Sequence, residues 1–166
     1  SSEYLKWDKT GLEFTAKYPA DYNKLPENQS TIANLALADY MEGTADYSNG
    51  GIPEGHILSI NLKRQNVLVK IKIAGYLDQY KEGETYIGSV SFVNGVIPFI
   101  QNEKGEHQEF GNFGTVGYTY SAILEPNNGN QDTYFIEMML KIANQDIGPI
   151  KVKGIPELKA GYAYTF

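Results

Sequence analysis

The chain has 166 residues, no cysteine, 14 basic against 20 acidic side chains and a net charge of −6. That length suits one domain, or one domain with a piece of another, and lets a chain bury roughly 70% of its unfolded surface without a metal or a disulfide. The absence of cysteine excludes disulfides, thiol nucleophiles and thiolate-bound zinc. The acidic balance, with no basic block, argues against a nucleic-acid partner, and no apolar run reaches the ~18 residues of a transmembrane helix.

Ser1-Ser2 opens no signal peptide, so the chain reads as cytosolic or as a mature or trimmed form of an exported protein. Thirteen tyrosines, 17 glycines and 7 prolines favour strands and turns over helices.

In chain order, Leu12, Phe14 and Ala16 alternate with polar residues, a short strand that Pro19 stops. Residues 21–30 are polar and carry Pro26, a loop. Residues 31–41, TIANLALADYM, hold an apolar cluster that fits a helical turn or a short buried segment equally well. Asn49-Gly50-Gly51 and Pro53 make residues 42–55 the strongest loop, and a module boundary is placed there.

The stretch HILSINLKRQNVLVKIKIAG, residues 56–75, organises the rest. Leu58, Ile60 and Leu62 share one face; Val67, Val69, Ile71 and Ile73 share the other parity. Period two means a half-buried strand, and the phase change at Lys63–Asn66 means one kinked strand or two strands meeting at a corner.

Further on, Ile87, Val90 and Phe92 mark a strand, and Asn94-Gly95 is a hairpin signal that returns the chain along residues 96–100, with Pro98 favouring an edge. Residues 118–124 form another strand, closed by a turn at 125–130. Residues 133–142, TYFIEMMLKI, read as strand more readily than helix. Gly148-Pro149 breaks the chain before a short strand at 150–152, residues 154–159 turn, and residues 161–166 close it with Tyr162, Tyr164 and Phe166 on one face. About seven strands between turn clusters predict an all-β, antiparallel sandwich.

Nothing in the sequence assembles an active site. His56 and His107 are isolated, and no HExxH or GxSxG motif is present. Residues 111–117, GNFGTVG, lack the Lys-Ser/Thr that completes a phosphate loop. The scattered carboxylates Asp39, Asp46, Asp78, Glu82 and Glu84 lack calcium-loop spacing. No catalytic residue, metal or cofactor is expected, although two carboxylates meeting in a groove would leave a hydrolase reading open. Trp7, Tyr22, Tyr118 and Tyr120 are candidate glycan-stacking aromatics, because flat rings suit sugar faces.

Several segments together resemble one family. Phe14-Thr-Ala-Lys-Tyr-Pro19 is similar to the F-x-A-Y-Y-P segment of the fimbrillin-like proteins, type V pilus subunits and surface lipoproteins of Bacteroidales. Gln29, then Ala38-Asp-Tyr-Met41 and Thr44-Ala45, resemble the next segment. The alternation of Ile60–Ile73 matches a family strand, with Arg64 where a His is usual. Ala122-Ile-Leu-Glu-Pro126 resembles I-L-x-P-Q, with Asn127 where Gln is common, and residues 158–164 resemble the closing L-x-A-G-K-x-Y-x-Y.

The order and spacing agree over nearly the whole chain. The resemblance implies transthyretin-like or Ig-like sandwich domains, with residues 1–50 the end of a first domain and 51–166 the second. It implies a trimmed or short variant of a usually longer protein. It further implies a non-catalytic fimbrial subunit or adhesin, exported to the cell surface and outer membrane. Its partners would be other pilus subunits, joined by β-strand exchange, with Gly161, Tyr162, Ala163, Tyr164, Thr165 and Phe166 the exchange segment. The alternative is a cell-surface glycan-binding module.

Overall fold

The computed structural model describes residues 12–48, 55, 57–111 and 113–166. Strand β1 (Glu13–Tyr18) pairs antiparallel with β2 (Met41–Asp46), which pairs in turn with the two-residue β3 (Lys63–Arg64). Between β1 and β2 lies the one α-helix among the described residues, α1 (Ile32–Ala38). Thr31 caps it, its hydroxyl accepting from the Asn34 N–H at 3.2 Å. At seven residues it is too short to cross a membrane.

The rest of the chain builds two facing sheets. Strands β4 (Val67–Lys72), β5 (Thr85–Phe92), β6 (Phe99–Gln101), β7 (His107–Gln108), β8 (Thr119–Leu124), β9 (Asn127–Ile142), β10 (Gln145–Leu158) and β11 (Ala163–Thr165) follow in order. One sheet has the order β11-β4-β8-β6-β7, the other β10-β9-β5. The alternation read from the sequence is what closes them on each other. Val67, Val69 and Ile71 of β4 and Tyr120, Ala122 and Leu124 of β8 face Ile87, Val90 and Phe92 of β5 and Ile136 and Leu140 of β9. Each such side chain contributes about 1.5–3 kcal/mol when taken from water. The fold is an all-β sandwich with a small third sheet and a helix at its N-terminal side.

The phase change at residues 63–66 is two strands, not one kinked strand. β3 belongs to the small sheet and β4 to the five-stranded sheet. Asn66 pins the corner between them: its buried amide donates to the Ala38 carbonyl at 2.9 Å and to the Tyr22 hydroxyl at 3.2 Å. The apolar set at Leu58, Ile60 and Leu62 lies outside any ladder, and strand pairing begins only at Lys63.

Other expectations shift with the pairing. The hairpin signal at Asn94-Gly95 is a real turn, with both residues at positive φ and the Phe92 N–H bonded to the Val96 carbonyl at 2.9 Å. The chain then changes sheets, because β6 pairs with β8 rather than with β5. Pro98 precedes β6 and is fully buried, so it marks no edge. The expected turns at 125–130 and 154–159 lie mostly within β9 and β10, a long hairpin that absorbs Gly148-Pro149 and Gly154 at register shifts. The ambiguous segment 133–142 is strand. The undecided segment 31–41 is helix followed by the start of β2, which runs into the expected loop as far as Asp46. The last strand pairs parallel with β4, where an antiparallel partner was expected. The Asn49-Gly50-Gly51 and Pro53 turn signals and His56 lie outside the described residues.

Candidate functional site

The residues with the most to say about function are strand edges, one of which is closed by a side chain that stands in for a strand. Gln29 is fully buried. Its Nε2 donates to the Ile123 carbonyl at 2.8 Å and to the Pro26 carbonyl at 3.0 Å, and its Oε1 accepts from the Ile123 N–H at 2.7 Å. β6 pairs with β8 only at Phe99–Gln101, opposite Thr119–Ser121. Beyond it, the Gln29 amide supplies the donor and acceptor that a neighbouring residue of a strand would offer. Glu27 and Gln29 also bond the Ile97 backbone, at 2.8 and 2.9 Å. Residues 24–29 are thereby held as one wall of the sandwich.

The opposite wall is β9. Strand β5 pairs with β9 from Thr85 opposite Ile142 to Phe92 opposite Ile136, and there β5 turns away. β9 continues to Asn127 bonded to β10 on one side, and no strand among the described residues is laddered to the other side of its segment 127–135. The Gly129 and Asp132 N–H groups are held by the side-chain oxygens of Asn127 and Asn130, at 2.8 and 2.9 Å. Between β9 and the 24–27 segment lies a groove of about 610 Å³ whose apolar lining includes Leu25, Val93, Val96, Leu124 and Ile155.

The segment 161–166 occupies another edge. The Gly161 N–H bonds the Asn66 carbonyl at 3.0 Å, and Leu68 and Lys72 donate to the Tyr162 and Phe166 carbonyls at 3.1 and 3.0 Å. The Phe166 N–H returns a bond to Lys70 at 2.9 Å. Tyr164 and Phe166 stack with ring centres 6.5 Å apart, and Phe166 meets the buried Phe135 edge-on at 5.7 Å. Ala163 and Thr165 are exposed, as is Tyr162. β11 is the outermost strand of its sheet, and no strand among the described residues ladders to its far side.

The three described aromatics of the set read as a sugar platform, Tyr22, Tyr118 and Tyr120, do not assemble. Tyr120 is 1% exposed in the core, so it offers no face to a ligand. Burial pushes its hydroxyl far above the usual tyrosine range, with a further push from neighbouring Tyr76. Tyr118 is half-buried against the core. Tyr22 stacks on Tyr40 at 4.2 Å, away at the Asn66 corner. Trp7 lies outside the described residues. His107 stacks on Phe99 at 4.5 Å, with its Nε2 at 3.0 Å from the Ser30 carbonyl. Among the described residues no three His, Asp or Glu side chains gather as a metal site would require.

Sequence reasoning missed the β9 edge because its polar start, Asn127-Asn-Gly-Asn130, reads as a turn. It named Gln29 only as a motif match. A fully buried Gln at a fixed backbone partner leaves no periodic signal.

No family model matches the chain, and no curated protein does. Among the solved structures similar to it are three from Bacteroides. A fimbrial protein from Bacteroides ovatus ATCC 8483 aligns with 100% of this chain and 37% of its own, at 15% identity and a TM-score of 0.49. A protein assigned provisionally to cell adhesion, from Bacteroides uniformis ATCC 8492, covers 98% of this chain and 70% of its own, at 14% identity and a TM-score of 0.45. A second such protein, from Bacteroides ovatus ATCC 8483, covers 95% and 54%, at 11% identity and a TM-score of 0.37. This chain thus spans little more than a third of the first.

Proposed function

We propose that this chain is a non-catalytic cell-surface subunit, fimbrial or adhesive, that joins neighbouring subunits by β-strand addition or exchange. The observation that carries the reading is the unladdered side of β9 at residues 127–135, above an apolar groove. An unladdered edge beside an apolar trough takes an extended strand, whose main chain replaces the side-chain caps on Gly129 and Asp132 while its alternate side chains fill the trough. Gly161–Phe166 is the proposed donor, with Tyr162, Tyr164 and Phe166 at alternate positions. Donor and acceptor are different surfaces, so copies joined this way propagate head to tail rather than closing into a dimer. The sequence resemblance supports the same role, with residues 51–166 as the sandwich domain, export to the cell surface and an outer-membrane fimbrium as the destination.

The test is light scattering over a concentration series, with thermal melting in the presence of a synthetic peptide of residues 161–166. Concentration-dependent chains, or a peptide-dependent rise in Tm, are expected. Both effects should vanish in Asp132→Pro, which removes an N–H that β10 does not use. A chain that stays monomeric and ignores the peptide overturns the reading.

A further inference from the structure

The other end of the same sheet carries an aromatic feature that strand addition does not use. Tyr86 of β5, Lys141 of β9 and Asp146 of β10 lie side by side across three strands, each pair in direct register. Thr85 and Ile87 point into the core, so Tyr86 points outward. Phe113 reaches the same face from the loop before β8. It is set there by Gly114, whose N–H and C=O both bond Ile87, at 2.9 and 2.8 Å. The Tyr86 and Phe113 rings lie 6.3 Å apart, tilted by 36°, and are 37% and 42% exposed. Together with Glu84 and Asn144 they border a groove of about 340 Å³, at the small end of the roughly 300–1,000 Å³ typical of small-molecule sites.

Several groups in this groove are held before anything binds. The Tyr86 hydroxyl donates to the Gly83 carbonyl at 3.0 Å. Lys141 Nζ donates to Asp146 Oδ1 at 2.6 Å and lies 5.3 Å from the Phe113 ring centre. Asn144 sits in the two-residue turn between β9 and β10, at positive φ. Fixed rings and fixed polar groups lose little entropy on binding.

We propose that this groove binds a neutral pyranose. The C–H face of the sugar stacks on the Tyr86 and Phe113 rings. Adjacent hydroxyls donate to the exposed Asp146 carboxylate and accept from Lys141 and the Asn144 amide. Charge decides between neutral and acidic sugars. Lys141 is already paired with Asp146, and Lys81 with Glu84, so neither ammonium is left over to take the charge of an anionic sugar. This inference does not rest on strand addition, because the groove lies at the opposite end of the β5–β9 ladder from the open edge.

The experiment is an array of oligosaccharides with neutral hexose or N-acetylhexosamine ends beside sialylated and sulfated ones, followed by calorimetric titration with the best neutral ligand. Binding to neutral ends is expected. Phe113→Ala and Asp146→Ala should each weaken it at least tenfold, with Tm and the response to the 161–166 peptide unchanged. Silence across the array, preference for acidic sugars, or binding indifferent to Phe113→Ala overturns the proposal.

Discussion

The two ends of the three-stranded sheet are built to opposite rules. At one end β5, β9 and β10 finish together. A two-residue turn at Ala143-Asn144, both at positive φ, joins β9 to β10, and the Ile87–Gly114 bridge ties on a loop. There β9 has a ladder on each side, and β5 gains the Gly114 bridge on the side away from β9. At the other end β9 outruns β5, and the segment 127–135 is left with one ladder instead of two. The same strand is thus interior at Leu140 and edge at Asp132. The difference teaches that an edge need not be a whole strand: a partner that turns away early, as β5 does at Phe92, creates one.

Proline on β9 sharpens this contrast most. Leu140 has partners on both sides, Ile147 on β10 and Ile87 on β5. Leu140→Pro should cost at least about 3 kcal/mol by deleting a ladder bond, before the lost burial is counted, and should prevent folding or lower Tm steeply. At Asp132 the same residue removes a bond to a side chain and an exposed ion pair with Lys153, and should shift stability by no more than about 1 kcal/mol in urea unfolding. Equal effects at both positions would refute the distinction.

Gln29→Ala tests the wall of the open end. It leaves the buried N–H and C=O of Ile123 without partners and should cost about 2–6 kcal/mol in thermal or urea unfolding, at roughly 1–3 kcal/mol for each orphaned group.

At the closed end, a Cβ on Gly114 would collide with the Tyr120 hydroxyl, and both are held by buried surroundings. Gly114→Ala should cost about 1–3 kcal/mol, and adding Tyr120→Phe should recover part of it, a non-additivity visible in a double-mutant cycle. Tyr120 also gives the closed end a pH signature. Its hydroxyl holds its proton longer when folded than at the unfolded value of 10.0. Below about pH 10 both states are protonated and this group costs nothing. Above it, the unfolded chain loses the proton first, so stability falls as pH rises. A pH series of urea melts should show that decline, and Tyr120→Phe should flatten it.

The core was legible in the sequence because period two survives wherever a strand has one wet face. Val67, Val69 and Ile71 declared their inward side, and Lys70 and Lys72 the outward one. The slip from Ile87 to Val90 was not read from the sequence, and the structure shows it as a register shift at Gly88. Pairing was not legible. Nothing in Asn94-Gly95 says that the returning chain joins the other sheet, and nothing in Tyr162, Tyr164 and Phe166 says that the strand they share runs parallel to β4. The glycan-stacking set failed at Tyr120 for the same reason. Alternation places a ring on a face, but only the second sheet decides whether that face meets water. Phe113 and Lys141, which do meet at the surface, come from segments with no shared pattern.

The Gln29 contact also sets a schedule. Its two partners on Ile123 lie 94 residues further along the chain. At synthesis rates of about 5–20 residues per second, roughly 5–20 s separate the making of this side chain from the making of its seat. Through that interval the amide must bond water, and the wall formed by residues 24–29 has nothing to close against. The N-terminal segment is therefore made early and finished late, and contacts of such long sequence separation are the kind that slow folding.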